Sequence, residues 1–257
     1  MNASAYDAES AAAWMRAHRV HFILLDMLYL AFVYYIPQVL VNRRKPELRE
    51  VMFVWNWFNL LSNLSLLLSV TPNFLKSFRH GIYGSVCLTQ GLYTTRLSGH
   101  AMFTFHVGKS WELLDTVLLV LRGRPVLRLH VFHHACALLL ASFTYYDIGA
   151  IARWGVMMNM CTHILMYGYF CAQTFLREMP KRFAAVITFL QTAQFLIGVL
   201  LVLLTRKYIR MGLTCETNST LLGIYFFAFA IFFILFAHFY VTKFYLGGQR
   251  NTRVKNY

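Results

Sequence analysis

The sequence predicts an all-α integral membrane protein with seven transmembrane helices. Three observations point there. Of its 257 residues 58% are hydrophobic and only 13% charged, where an ordinary soluble domain carries about a quarter charged residues. The mean hydropathy is positive, at +0.52. Apolar runs of about 20 residues, the length needed to cross a ~30 Å hydrocarbon core, recur at about 22–41, 52–71, 103–121, 131–149, 151–172, 183–204 and 220–243. These runs leave no room for a soluble domain, so residues 1–257 read as one seven-span membrane domain ending in a basic tail, 244–257.

The segment before the first run, "MNASAYDAESAAAWMRAHRV", contains acidic residues and lacks a short apolar stretch followed by a small-residue cleavage site, so no signal peptide is expected. The net charge of +14 would point to nucleic acid in a soluble chain. Here the basic residues fall mostly in short loops and report orientation instead. With the N-terminus outside, one side collects Arg43, Arg44, Lys45, Arg49, Arg122, Arg124, Arg128, Arg177, Lys181, Arg182, Lys243, Arg250, Arg253 and Lys255. The other side holds nine and Lys109 lies within a span. The bias predicts a lumenal N-terminus and a cytosolic C-terminus. Two sequons, at Asn2 and Asn218, fall on the lumenal side.

Span three contains "HVGKSWELLDT", in which His106, Lys109, Glu112 and Asp115 recur every third residue and so share one side of a helix. Ionisable groups at that depth cost a few kcal/mol each and normally face a bundle interior or a water-filled cavity. Span four opens with "HVFHH", placing His130, His133 and His134 within a turn or two. Span five aligns Asn159, His163, Tyr167 and Phe170, and span six aligns Thr188, Gln191 and Gln194. With this topology all four stripes lie at mid-depth or in the cytosolic half, which predicts one site opening to the cytosol. Hydrogen-bonded glue between helices is the structural alternative for the Gln, Asn and Thr positions. His18, His21, His80, His100 and His238 lie outside the cluster. The five cysteines form no CxxC pair and four lie in or near apolar spans, so neither a disulfide framework nor a zinc site is expected. No internal repeat is evident.

Three chemistries use such a histidine cluster. HxxHH spacing occurs in membrane di-iron desaturases and hydroxylases, but those need about eight histidines in several boxes, and this chain has one box. A cofactor-free acyl-transfer or condensation site uses imidazole as nucleophile, proton carrier and oxyanion partner. A non-enzymatic seven-span protein with a polar core is the third. The residues rank the second first.

"KSWELLDT" (109–116), "HVFHH" (130–134), "HILMYGYF" (163–170) and "TFLQTAQ" (188–194) resemble, in order, the KxxExxDT, HxxHH, HxxMYxYY and TxxQxxQ motifs of the very-long-chain fatty acid elongase family. Phe170 departs from the family pattern, which has Tyr there. The resemblance implies a 3-ketoacyl-CoA synthase of the endoplasmic reticulum that joins an acyl-CoA to malonyl-CoA with no cofactor or metal. It implies six of seven helices around an acyl tunnel closed at its lumenal end. It casts His133 as nucleophile and His163 opposite it, with His130, His134, Lys109, Glu112 and Asp115 as catalytic support. Asn159, Tyr167, Gln191 and Gln194 are expected to bind substrate by hydrogen bonds, and Arg124 and Lys181, among Arg122, Arg128 and Arg182, to pair with CoA phosphates. Cys136 is the rival nucleophile, because soluble condensing enzymes use cysteine. "RVKNY" at the C-terminus is similar to a lysine-based retrieval signal. Membrane lipid, the other enzymes of the elongation cycle and a second copy of the chain are the implied partners, and nucleic acid is not.

Overall fold

A computed structural model describes residues 5–40, 46–176 and 179–246. Asn2, Arg43, Arg44, Lys45, Arg177 and the tail from 247 onward, with its retrieval-like ending, lie outside the described residues. The described chain is helical apart from its connections and one isolated bridge between Ala5 and Thr95. In order the helices are α1 (Ala8–Ala17), α2 (Arg19–Val39), α3 (Arg49–Ser77), α4 (Gly81–Cys87), α5 (Arg96–Trp111), α6 (Leu113–Leu121), α7 (Arg128–Thr144), α8 (Ala152–Phe175), α9 (Lys181–Arg210) and α10 (Ser219–Tyr240), and a π turn follows at Val241–Leu246. The described parts of the apolar runs are mostly helical, but the run at 131–149 leaves helix at Thr144 and the run at 103–121 is interrupted at Glu112. Among the described residues, four helical stretches are long and apolar enough to cross a membrane: Arg19–Val39, Arg49–Cys87, Lys181–Arg210 and Ser219–Leu246.

Polarity is arranged inside out. Leu24, Leu28 and Leu30 of α2, Leu196, Leu200 and Leu203 of α9, and Phe227, Ile231 and Ile234 of α10 face outward. Meanwhile Asn56, Asn59 and Asn63 of α3, Lys109, Glu112 and His163 are buried. Water would reject such an exterior, whereas a bilayer accepts it and drives polar groups into the bundle. The chain is accordingly a multi-pass membrane protein.

Local chemistry sets the ends of several helices. After α6 the N–H of Gly123 donates to the Val120 carbonyl at 2.8 Å, and that of Arg124 to Leu119 at 3.0 Å, while Gly123 takes φ +62°. This is a Schellman stop, in which glycine supplies the left-handed turn. Pro125 then keeps the chain from resuming helix at once, and the stop presents Arg122 and Arg124 at one end of the bundle. The side chain of Asn218 caps α10 by accepting from the N–H groups of Thr220 (2.9 Å) and Leu221 (3.1 Å). α5 gives way to α6 at Glu112, where Asp115 N–H reaches back only three residues, to Glu112 C=O at 3.1 Å.

Cys87 and Cys215 form a disulfide across 128 residues, against the expectation of none. Linear spacing could not reveal it. The two cysteines meet because Glu216 N–H donates to the Cys87 carbonyl at 2.7 Å, pairing the end of α4 with the α9–α10 connection. Cys136, Cys161 and Cys171 are free. The disulfide marks one end of the bundle. Tyr6 N–H donates to Thr94 C=O there at 2.8 Å, and the connection between α7 and α8 passes there too. Gly149, at φ +71°, lies so close that a Cβ would sit 1.7 Å from the Glu216 carbonyl oxygen, so no other residue fits. Arg49 and Thr174, joined by guanidinium to carbonyl hydrogen bonds, mark the opposite end.

Candidate active site

The stripe on α5 and α6 meets α8 inside the bundle. Lys109 Nζ donates to both oxygens of Glu112, at 2.8 and 2.9 Å, and to Asn159 Oδ1 at 2.8 Å, and it lies 4.4 Å from the Phe105 ring centre. Because Asn159 Oδ1 accepts from Lys109, its Nδ2 is the donor to His163 Nε2 at 3.2 Å. The His163 proton must then sit on Nδ1, which points at Glu112 Oε1 3.6 Å away. Lys109, Asn159, His163 and Glu112 thus form a ring joined by an ion pair and hydrogen bonds except between Glu112 and His163 Nδ1, which is buried with no hydrogen-bond partner. Such burial of charges is tolerated only when they are paired in this way.

Asp115 belongs to a second cluster. Trp55 Nε1 donates to Oδ1 at 2.5 Å and Tyr167 Oη to Oδ2 at 2.7 Å. The Tyr167 ring sits edge-on to His163 with centres 5.6 Å apart, linking the clusters. Next to Asp115 on α6, Thr116 shares a 2.9 Å hydrogen bond with Tyr29 of α2.

The three histidines of α7 do not share one environment. His130 and His134 lie ring to ring, 4.3 Å between centres. His133 meets His134 edge-on, 5.5 Å between centres, and packs against Phe195, Phe232 and Phe236, whose centres lie 5.1–6.1 Å off. Two spaces flank this layer. A narrow apolar cavity of about 120 Å³ is lined by His133, Lys109, His106, Asn159 and Gln194, and runs to Ile148 and Tyr225 at the disulfide end. A chamber of about 860 Å³ at the opposite end is lined by His130, Asp115 and Trp55, with Arg49, Arg122 and Arg124 at its rim. Among the described residues no ring nitrogen of His130, His133 or His134 makes a hydrogen bond, and His130 Nε2 is buried without one; of the three only His133 lines the narrow cavity. His106 points its Nδ1–H at the Met102 carbonyl, 2.6 Å away, which leaves Nε2 for the cavity. No group of three or more His, Cys, Asp or Glu side chains converges in a metal-holding arrangement among the described residues.

The remaining expected residues take varied positions. Gln194 accepts from Thr162 Oγ1 at 3.0 Å and faces the cavity. Gln191 instead approaches the Met166 sulfur at 3.5 Å and lines neither space. Arg124 reaches the chamber, whereas Lys181 is an exposed residue at the start of α9 outside its lining. Phe170 is part of the chamber wall. Several residues escaped the sequence reading. Asn56, Asn59 and Asn63 form a buried stripe on α3 that the same spacing argument would have found. Trp55 gave no signal, because tryptophan is ordinary at membrane interfaces. Asp26, a buried carboxylate on α2, was a lone acid without a periodic partner.

Comparison with known proteins adds independent findings. The family model for the GNS1/SUR4 (ELO) family matches residues 14–252. Very long chain fatty acid elongase 6 of Drosophila melanogaster is 28% identical over 232 residues, covering 88% of this chain and 73% of that protein. The Homo sapiens protein of the same name is 27% identical over 248 residues, covering 96% and 92%. Long chain fatty acid elongase 1 of Caenorhabditis elegans is 26% identical over 232 residues, covering 89% and 80%.

Proposed function

The chain belongs to the GNS1/SUR4 (ELO) family, and from that premise we propose that it is the condensing enzyme of fatty acid elongation, joining a long-chain acyl-CoA to malonyl-CoA. The observation that carries this reading is His133: an imidazole with no hydrogen-bond partner among the described residues, on the wall of an apolar cavity, beside the Lys109, Glu112, Asn159 and His163 ring.

A nucleophile must be free, and an acyl chain needs a dry, narrow space. His133 attacks the thioester carbonyl and CoA leaves with the proton that the imidazole gives up, so an acyl-imidazole and free CoA result. Malonyl-CoA then loses carbon dioxide, and the electrons of the broken C–C bond form the enolate of acetyl-CoA. The α-carbon of that enolate attacks the acyl carbonyl and His133 leaves, taking back a proton. One proton is consumed overall, and 3-ketoacyl-CoA, carbon dioxide and CoA are released. The second N–H of Asn159 Nδ2 offers a donor to the enolate oxygen, the Lys109 ammonium, whose three N–H groups go to Glu112 and Asn159, favours it by charge, and Asn159 holds His163 beside them. Glu112 keeps Lys109 in place, His130 and Asp115 line the chamber, and His134 packs against the His130 ring.

In this reading the protein is a seven-span protein of the endoplasmic reticulum membrane, with six helices around the acyl cavity. The Cys87–Cys215 disulfide supports a lumenal N-terminus, since disulfides persist in oxidising compartments. It lies at the same end as Tyr6 and Thr94 and opposite Arg49, Arg122 and Arg124. CoA phosphates then dock at that arginine rim on the cytosolic side. Replacing Arg122 and Arg124 together by alanine should raise KM for acyl-CoA by roughly tenfold with kcat little changed, because phosphate pairing is uniform binding; steady-state kinetics at two salt concentrations check this.

The reading itself is tested by incubating detergent-purified protein with acyl-CoAs of graded length and labelled malonyl-CoA, with and without a strong chelator. The expected product, by mass spectrometry, is a 3-ketoacyl-CoA two carbons longer, formed equally in both arms. Chelator-sensitive oxidation of the chain with a reductant present would overturn it, as would no turnover with any acyl-CoA.

A further inference from the structure

A groove of about 810 Å³ runs between α7 and α10 on the outside of the bundle. Its wall is apolar from Phe132 to Phe143 on α7 and from Leu221 to Phe232 on α10. From Asn218 to Phe232 is 14 residues of chain, about 21 Å of helix at 1.5 Å per residue, which exceeds the ~15 Å depth of one leaflet's hydrocarbon. The groove is therefore deep enough for a whole lipid chain lying along the bilayer normal.

Its polar end lies at the disulfide end of the bundle and holds two opposite charges. Arg19, the first residue of α2, donates through Nη2 to the Phe143 carbonyl at 3.2 Å, with its guanidinium 5.1 Å from the Phe143 ring centre. Its Nε is buried and has no partner. Asp147, in the α7–α8 connection, lines the same end. Arg19 and Asp147 form no ion pair with each other or with any other described residue. Two unpaired charges of opposite sign above an apolar slot match a zwitterion on an acyl chain. We propose that this groove is a binding site for a zwitterionic phospholipid, its phosphate on Arg19, its cationic headgroup on Asp147 and one chain between α7 and α10. The site is distinct from the acyl cavity and does not depend on the enzymatic reading. The seated chain would nonetheless press on Leu140 and Phe232, which wall both spaces.

The test uses full-length protein, delipidated in detergent and then offered phosphatidylethanolamine, phosphatidylglycerol or diacylglycerol with identical chains. Native mass spectrometry reads retention and a thermal melt reads stabilisation. Phosphatidylethanolamine should be retained at one per chain and raise Tm, phosphatidylglycerol should bind about tenfold more weakly, the loss expected for one charge-assisted contact, and diacylglycerol, which lacks both, about a hundredfold. Arg19→Ala and Asp147→Asn should each bring phosphatidylethanolamine down about tenfold, to the phosphatidylglycerol level. Ala228→Trp, which fills the slot without touching the charges, should abolish retention. Equal retention of all three lipids, or wild-type retention by Arg19→Ala and Asp147→Asn, would overturn the proposal. A variant counts only if it elutes as wild type does, and the comparison of lipids on the unmodified protein stands by itself.

Discussion

Replacing His133 by alanine is expected to lower the condensation rate by about a thousandfold or more, the range lost when a covalent nucleophile is removed. The loss should appear at the first half-reaction. With acyl-CoA alone, intact-mass analysis of the unmodified protein should show an added acyl group and released CoA, and the His133 variant should show neither. His163→Ala should still acylate but fail to pass the chain to malonyl-CoA, because His163 Nε2 accepts from Asn159 and its loss would release the amide proposed to hold the enolate. Cys136→Ser should change little, because Cys136 faces the outer groove between α7 and α10 and not the cavity. His133→Gln, which keeps most of the side-chain volume, separates chemistry from packing. If Cys136→Ser prevented acylation while His133→Ala acylated normally, the assignment would be wrong.

The second large effect concerns folding. Arg153, at the start of α8, is 0% exposed. Its guanidinium donates to Asn73 Oδ1 at 3.1 Å and to the carbonyls of Ser85 at 3.0 Å, Leu88 at 3.1 Å and Thr89 at 2.5 Å. Those carbonyls surround the α4 end that carries Cys87. Arg153→Met would leave them without donors inside the protein, and a buried polar group so orphaned costs about 1–3 kcal/mol. The summed loss, about 3–5 kcal/mol, is what breaking a buried charged cluster usually costs. That is a large part of a domain's total stability. Arg153→Met is therefore expected to accumulate poorly, melt well below the unmodified protein and show incomplete Cys87–Cys215 pairing on a non-reducing gel. Arg153→Lys should fall between, since an ammonium offers three donors where the guanidinium fork offers five. A Met variant with unchanged Tm and a complete disulfide would refute this account.

The sequence by itself determined the solvent and the elements. A chain with this hydropathy must face lipid, and its apolar runs are helical because every backbone amide in hydrocarbon has to find a partner within its own segment. The stripes on α5, α6, α7 and α8 were legible too, since a spacing of three or four residues puts side chains on one face of a helix whatever surrounds it. What the periodicity could not decide was which face meets which. One helical face is wide enough to look two ways, so His133 turns to the acyl cavity while His130 turns to the arginine-rimmed chamber, three residues away. Gln191 and Gln194, equally spaced on α9, part company in the same manner. Trp55 on Asp115, Arg153 on the α4 carbonyls and the Cys87–Cys215 bond join residues 60, 68 and 128 positions apart. Such contacts depend on how helices lean on one another, and packing of side chains across the bundle sets that geometry, which no local pattern records.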